Sequence, residues 1–430
     1  MSVAPRRNSA MKMRSTAPVA ALLASAVAIA LIATPARGDV IMDWNAKADA
    51  IGIEKQLPNA ANARGQAMLH VAMFEAINAI DKRYAPYKLK LKLTADSATS
   101  RDSAASAAAY GILSALYPDQ KTDLDATLAA SLSRITESEA KAKGIELGKQ
   151  AAAGILALRA NDGSNVPEGY RPVTAPGVYV PTAMPIESTS ARITPFAMQT
   201  GAQFRPAPPP ALNSEVWTRD LNEIREVGSS VSTRRTAEQT TMARFWFFTG
   251  PRTYNPIVRQ VASARKMDLV DCARLYALTS IAGMDAFIAV FDGKYTYNLW
   301  RPVTAIRNAD LTSNPATPRE ASWQPLGTTP MHPEYPCAHC IVAAAISTVL
   351  QSIAGNEIGE ITLVSPTAAG VTRKWSRLQD YSDEVSNARI YAGFHYRFST
   401  EIGKEMGQKI GELTVATQLR GAEASAQQKP

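Results

Sequence analysis

Three short stretches between residues 294 and 395 combine cations and histidines at spacings that suit a bound oxyanion. The first is Lys294-Tyr-Thr-Tyr-Asn-Leu-Trp-Arg301-Pro302, with Arg301 seven residues after Lys294. Two helical turns separate them, so both could point from one face toward a common anion. An arginine offers a planar fork to oxyanion oxygens, and a lysine a compact point charge. An ordinary solvated helix face shows the same pair. The second stretch is His332-Pro-Glu-Tyr-Pro336-Cys337-Ala338-His339-Cys340, followed at once by an apolar run. If Pro336 starts a helix, the N–H groups of Cys337, Ala338 and His339 are its unpaired first-turn donors, a natural anion cradle. The third is Arg389-Ile-Tyr-Ala-Gly393-Phe-His395-Tyr-Arg-Phe. Its six-residue gap does not align Arg389 with His395 on one helix, but a break at Gly393 would let both reach one point.

These residues need a scaffold, and the sequence reads as all-α. Residues 62–82 place Ala67, His70, Met73, Ile77 and Ile80 at three- and four-residue intervals, the pattern of a buried helical face. Stretches 102–116, 119–134 and 137–160 follow the same rule, broken at Pro118 and at polar pairs that can cap. Helices are also expected at about 214–228, 232–248, 254–267, 268–291, 337–354, 367–391 and 396–419. Asp162-Gly163 and Asp292-Gly293 read as helix terminators, and no run alternates as a half-buried strand would. The proline-rich residues 164–213 and the stretch 309–335 read as long ordered loops. There is no internal repeat.

The first 38 residues stand apart. Arg6, Arg7, Lys12 and Arg14 precede an uncharged apolar run from Ala17 to Ala33, and Ala36 and Gly38 supply small residues for cleavage. This is the order of a secretory signal, implying a secreted or periplasmic protein; an uncleaved membrane anchor is the other reading. No later segment is expected to cross a bilayer. Residues 39–420 form the expected helical domain and 421–430 a polar, flexible tail. Without the leader the formal charge falls from +8 to +3, and no basic stripe with interleaved aromatics suggests nucleic acid.

In order and internal spacing, the three stretches resemble the signature blocks of the vanadium-dependent haloperoxidase and type 2 phosphatidic acid phosphatase superfamily. The helix carrying His70-Val-Ala-Met-Phe-Glu-Ala is similar to bacterial haloperoxidase-type sequences. The resemblance implies packed helical bundles around a tetrahedral oxyanion, vanadate or phosphate. It makes Lys294, Arg301 and Arg389 the charge partners of that oxyanion, with contacts from the Ala338 N–H and the Cys337 side chain. His339 becomes the acid–base residue, and His395 the vanadate ligand, or the phosphoryl-accepting nucleophile of a phosphatase. His332 matches a second histidine of bromide-oxidising algal relatives.

The partners so implied are hydrogen peroxide, a halide and a small organic substrate; the halide is expected to be bromide or iodide rather than chloride, and homo-oligomerisation stays open. Four positions depart from the family pattern: Cys337 for serine, Ala338 for glycine, Ala388 for serine, and Ser399 for an aspartate four residues after the last histidine. A histidine acting as nucleophile or ligand is usually oriented by an acceptor on its other nitrogen, which Ser399 or a backbone carbonyl would have to supply. A thiol beside bound peroxide invites oxidation.

Three further readings remain. The site could bind an oxyanion without turnover. Cys337-Ala-His-Cys340 could be a thiol–disulfide pair, leaving Cys272 odd and buried. His332, Cys337, His339 and Cys340 could ligate zinc, though they crowd a tetrahedron. His70 and the run Phe245-Trp-Phe-Phe248 read as core, the latter with a potential pocket wall.

Overall fold

A computed structural model describes residues 39–422. The expected leader, 1–38, and residues 423–430 of the tail lie outside the described residues. The N-terminal half contains α1 (Val40–Glu54), α2 (Asn59–Asp81), α3 (Arg101–Leu116), α4 (Lys121–Ser133) and α5 (Glu139–Leu158). After the proline-rich loop come α6 (Glu215–Val227), α7 (Ala237–Phe245), α8 (Pro251–Ala264), α9 (Leu269–Tyr297) and the short α10 (Pro302–Arg307). The chain finishes with α11 (Ala338–Ala354), strands β1 (Glu357–Val364) and β2 (Thr372–Arg377), α12 (Leu378–Tyr391) and α13 (Arg397–Thr417). Polar N-caps set many of the starts: Asp39, Ser100, Ser138, Ser214 and Asp268 each accept a first-turn N–H, and Thr236 with Gln239 forms a capping box on α7.

The fold is helical as expected, with four differences from the sequence reading. First, α1 and α10 were not anticipated. Second, residues 372–377 are a strand rather than the start of the 367–391 helix. The hairpin buries Ile358, Ile361, Leu363 and Trp375, but a bulge between Glu357 and Ile361 breaks the period-two signal that would have revealed it. Third, Asp292-Gly293 does not end a helix. α9 runs on to Tyr297, and a Cβ at Gly293 would come within 2.8 Å of Pro336 Cδ, so the absent side chain admits the loop that carries the site. Fourth, Gly421 is not loose tail but bridges Tyr84.

The core centres on α9, which packs against α2, α11 and α13. It is long and apolar enough to cross a membrane by length and composition, contrary to expectation. Its apolar face is enclosed by these neighbours, as the central helix of a packed core must be. The face expected on α2 is buried throughout, and His70 is satisfied there, between Ser280 Oγ at 2.6 Å and Asn45 Nδ2 at 3.2 Å. The proline-rich loop is pinned at Asp285 of α9, whose carboxylate accepts N–H bonds from Phe196, Ala197 and Met198 at 2.7–2.8 Å.

One contact matters directly for the site. α13 lies so close to α11 that a Cβ at Gly403 would stand 2.8 Å from the Cys337 carbonyl oxygen. The missing side chain fixes the start of α11 against the segment that follows His395.

Candidate active site

Lys294 sits on the last turn of α9, and Asn298, in the left-handed region at φ 51°, closes that helix. The chain then extends through Leu299 and Trp300, and Arg301 becomes the N-cap of α10. The two cations therefore do not share a helix face; the turn at Asn298 brings them together instead. Lys294 Nζ donates to the carbonyls of Pro333 (3.0 Å) and Glu334 (2.7 Å). Arg301 donates from Nε to the His332 carbonyl (2.8 Å), from Nη1 to the Phe394 carbonyl (3.0 Å) and His395 Nε2 (3.2 Å), and from Nη2 to His332 Nδ1 (2.9 Å). Arg301 thus ties the second and third motifs together.

Those bonds assign the His395 tautomer. A guanidinium only donates, so His395 Nε2, which faces Arg301 Nη1, must be unprotonated. The His395 proton then lies on Nδ1, where it is donated to Glu334 Oε1 at 2.7 Å. Glu334 also accepts the Tyr396 N–H at 3.0 Å and is fully buried. It supplies the acceptor that Ser399 was expected to provide. Sequence reasoning missed it, although it is the single acidic residue within the three motifs.

The second motif forms the start of α11. Cys337, not Pro336, is the N-cap, and its sulfur accepts the Cys340 N–H at 3.2 Å. Its own N–H is used by the Ser399 carbonyl at 3.3 Å, so two of the three expected donors remain, those of Ala338 and His339. Cys337 and Cys340 form a disulfide, and both are fully buried. The sulfur can therefore neither donate to an oxyanion nor act as a thiol beside peroxide. Burial also shuts out thiol exchange with a partner and, with both sulfurs bonded to each other, removes the zinc reading; no cluster of three or more metal-binding side chains occurs among the described residues. Cys272 is the free, buried thiol.

The third motif breaks at Gly393, as the sequence implied. Arg389 occupies the last turn of α12, Gly393 turns the chain at φ 79°, and His395 precedes Tyr396, the N-cap of α13. Arg389 Nη1 donates to the Trp246 carbonyl at 2.7 Å, and its guanidinium carbon lies 4.7 Å from the centre of the Phe394 ring. Its Nε and Nη2 have no partner, and neither has His339 Nε2. His339 donates its other ring proton to the Phe247 carbonyl. His332 packs edge-on against Phe291.

All these side chains are buried, and the electrostatics follow. Burial lowers Arg389 to about 9 and Arg301 to about 10; the neighbouring Arg301 charge adds to the effect on Arg389. Lys294 is pushed well below its usual range, first by burial and then by Arg301. His332, His339 and His395 are held neutral far below the usual histidine range by burial, reinforced by the cations. Burial raises Glu334 to about 7 against the pull of Lys294 and Arg301.

Three buried cations thus face one carboxylate, with two guanidinium nitrogens and two helix-terminal N–H groups unpaired. Orphan buried donors are costly unless a ligand meets them. Their arrangement fits an oxyanion lying between His395 Nε2, Arg389 and the start of α11.

Residues 274–422, which contain every residue of this cluster that the three motifs supply, match the family model of the VCPO second helical-bundle domain. The vanadium chloroperoxidase of Curvularia inaequalis is 24% identical, over 69% of this chain and 62% of its own length. The chain therefore spans less than two thirds of that relative. The fold is similar to that of a bacterial vanadium-dependent iodoperoxidase, with TM-score 0.76, 24% identity and coverage of 89% of this chain and 97% of that one. It is also similar to a bacterial vanadium-dependent chloroperoxidase in its holo form, with TM-score 0.67, 17% identity and coverage of 83% and 91%.

Proposed function

We propose that this chain belongs to the vanadium-dependent haloperoxidase and type 2 phosphatidic acid phosphatase superfamily and is an exported haloperoxidase that oxidises bromide or iodide with hydrogen peroxide. The observation that carries the reading is the cluster of unpaired buried donors around a histidine whose Nε2 lone pair is free of a proton. Vanadate would be held by His395 Nε2, Lys294, Arg301, Arg389 and the N–H of Ala338. When bound, it supplies the Lewis acidity that activates peroxide toward halide.

The chain's own residues do the rest. Glu334 keeps the His395 proton on Nδ1, which leaves Nε2 available as a ligand. The buried cations neutralise the anion's charge where water cannot compete. His339, neutral and with Nε2 unpartnered, would accept a proton from an oxygen at the anion and return it later. With its sulfur locked in a disulfide, Cys337 gives no thiol to be oxidised.

The test combines purified mature protein with vanadate, hydrogen peroxide and bromide or iodide, read by a halogenation dye. Turnover that needs vanadate and disappears in His395→Ala is expected. Vanadate binding with no turnover in any halide would mean a non-catalytic oxyanion binder, and no vanadate binding would remove the functional reading altogether. The Glu334–His395 contact also favours a second reading, since a carboxylate-backed histidine is a competent phosphoryl acceptor. Hydrolysis of an aryl phosphate, inhibited by vanadate, would establish that one. Export predicts a mature N-terminus near residue 39, readable by intact mass.

A further inference from the structure

We infer that the cavity beside Phe248 binds a small anionic aromatic molecule, the organic acceptor of the oxidised halogen. The acceptor role rests on the haloperoxidase reading; the binding site does not. The cavity has a volume of about 740 Å³, ordinary for a small-molecule site. Its walls are mostly apolar, including Leu57, Leu116, Ile186 and Phe248. Ile186 and Phe248 are 43% and 38% exposed, large apolar side chains left open where the fold gives them no cover.

The cavity's charges are already committed, with one exception. Arg64 is paired to Asp162 at 2.7 Å. Glu187 accepts the Ala60 N–H at 3.1 Å and the Ser190 hydroxyl at 2.5 Å. Arg252, on the first turn of α8, makes no ion pair or hydrogen bond to the described residues; its guanidinium carbon rests 3.7 Å from the centre of the Phe248 ring. The same Phe248–Arg252 pair also walls a second cavity of about 470 Å³. A free cation laid on an aromatic face, at the edge of an apolar cavity, is complementary to an aromatic carboxylate or phenolate.

Position links the cavity to the chemistry. Phe247, next to Phe248, accepts the His339 ring N–H at its carbonyl, and its ring lies tilted against that of Phe394 with centroids 5.7 Å apart. Ile186, which also lines the cavity, donates its N–H to the carbonyl of Met331, the residue before His332. The balance is ordinary. Halide gives two electrons to hydrogen peroxide, whose O–O bond breaks; with one proton taken from solvent, the products are hypohalous acid and water. A ring carbon then takes the halogen, and its displaced proton leaves with the hydroxide as a second water.

The experiment titrates 4-hydroxybenzoate into the full-length mature protein by calorimetry, with no vanadate or peroxide. Saturable binding is expected, weakened about tenfold in Arg252→Gln and restored in Arg252→Lys. Neutral 4-hydroxybenzamide should bind both forms alike, and Phe248→Ala should weaken both ligands. Triiodide formation from iodide should be unchanged in Arg252→Gln, which also shows that the variant folds. Absence of saturable binding, or equal binding by Arg252→Gln, overturns the site. Arg252-dependent binding in a protein that oxidises no halide keeps the site and overturns its role as halogen acceptor.

Discussion

The Nδ1 atom of His395 and the Oε1 atom of Glu334 stand 2.7 Å apart, across 61 positions of chain. A buried carboxylate whose pKa rises from 4.5 to about 7 makes stability depend on pH in a defined direction. Below pH 4.5 the group is protonated in both states, and it contributes nothing. Between 4.5 and about 7 the unfolded chain gives up the proton while the folded one keeps it, so stability falls as pH rises, by up to about 1.4 kcal/mol per pH unit. Above that window both states are ionised and the difference is constant. Urea midpoints of vanadate-free wild type, measured against Glu334→Gln, should fall through this window and level off beyond it. A difference independent of pH would refute the assignment. The same variant should bind vanadate about 10- to 100-fold more weakly, because it loses the carboxyl group that orients the proposed ligand, His395.

Arg389 carries a charge into a fully buried place and leaves two nitrogens unpaired. Replacing it by methionine should therefore stabilise the anion-free protein by about 1–3 kcal/mol, even though the bond to the Trp246 carbonyl is lost. The shift in melting temperature that vanadate produces should shrink sharply in the same variant. A destabilised Arg389→Met protein with an undiminished vanadate response would show that Arg389 is structural.

The state of the cysteines has a simple chemical readout. In denaturant without reductant, only Cys272 should react with a thiol reagent; after reduction all three cysteines should. Cys337→Ser, in a Cys340→Ala background, replaces a bonded sulfur with a hydroxyl at the N-cap of α11. Vanadate affinity should rise about three- to tenfold from the added donor, while the melting temperature falls with the lost cross-link. Unchanged affinity would mean that the N-cap side chain does not face the anion.

Gly403 tests whether the α11–α13 contact sets the site. Valine there meets the Cys337 carbonyl, which must move for α13 to stay packed. The change should cost about 1–3 kcal/mol in urea denaturation and weaken vanadate binding as well. Lost stability with intact binding would place the start of α11 under other control.

Much of this molecule was legible from its residues. Periodicity placed the buried face of α2, and three motifs identified the cations and histidines that come together, because each motif is local and its residue types have few other uses buried. Gly393 announced its turn, since a positive φ excludes most side chains. What stayed hidden depended on partners distant in sequence. Lys294 and Arg301 looked like one helix face, yet Asn298 ends the helix between them. Asp292-Gly293 looked like a stop, yet tertiary packing against Pro336 uses that glycine inside α9.

The sequence by itself determined the helical class, the three motifs and the identity of their charges, since these follow from local spacing and side-chain chemistry. The tertiary structure alone decided which carboxylate faces His395, which carbonyls hold Arg389 and His339, and that the two motif cysteines are bonded. Each of those depends on where a segment lands in three dimensions. The β1–β2 hairpin belongs with them, because a bulge hides its alternation and only pairing reveals it. So does the electrostatic strength of the site, since the charges of Lys294, Arg301 and Arg389 act strongly only once burial removes the water that would otherwise screen them.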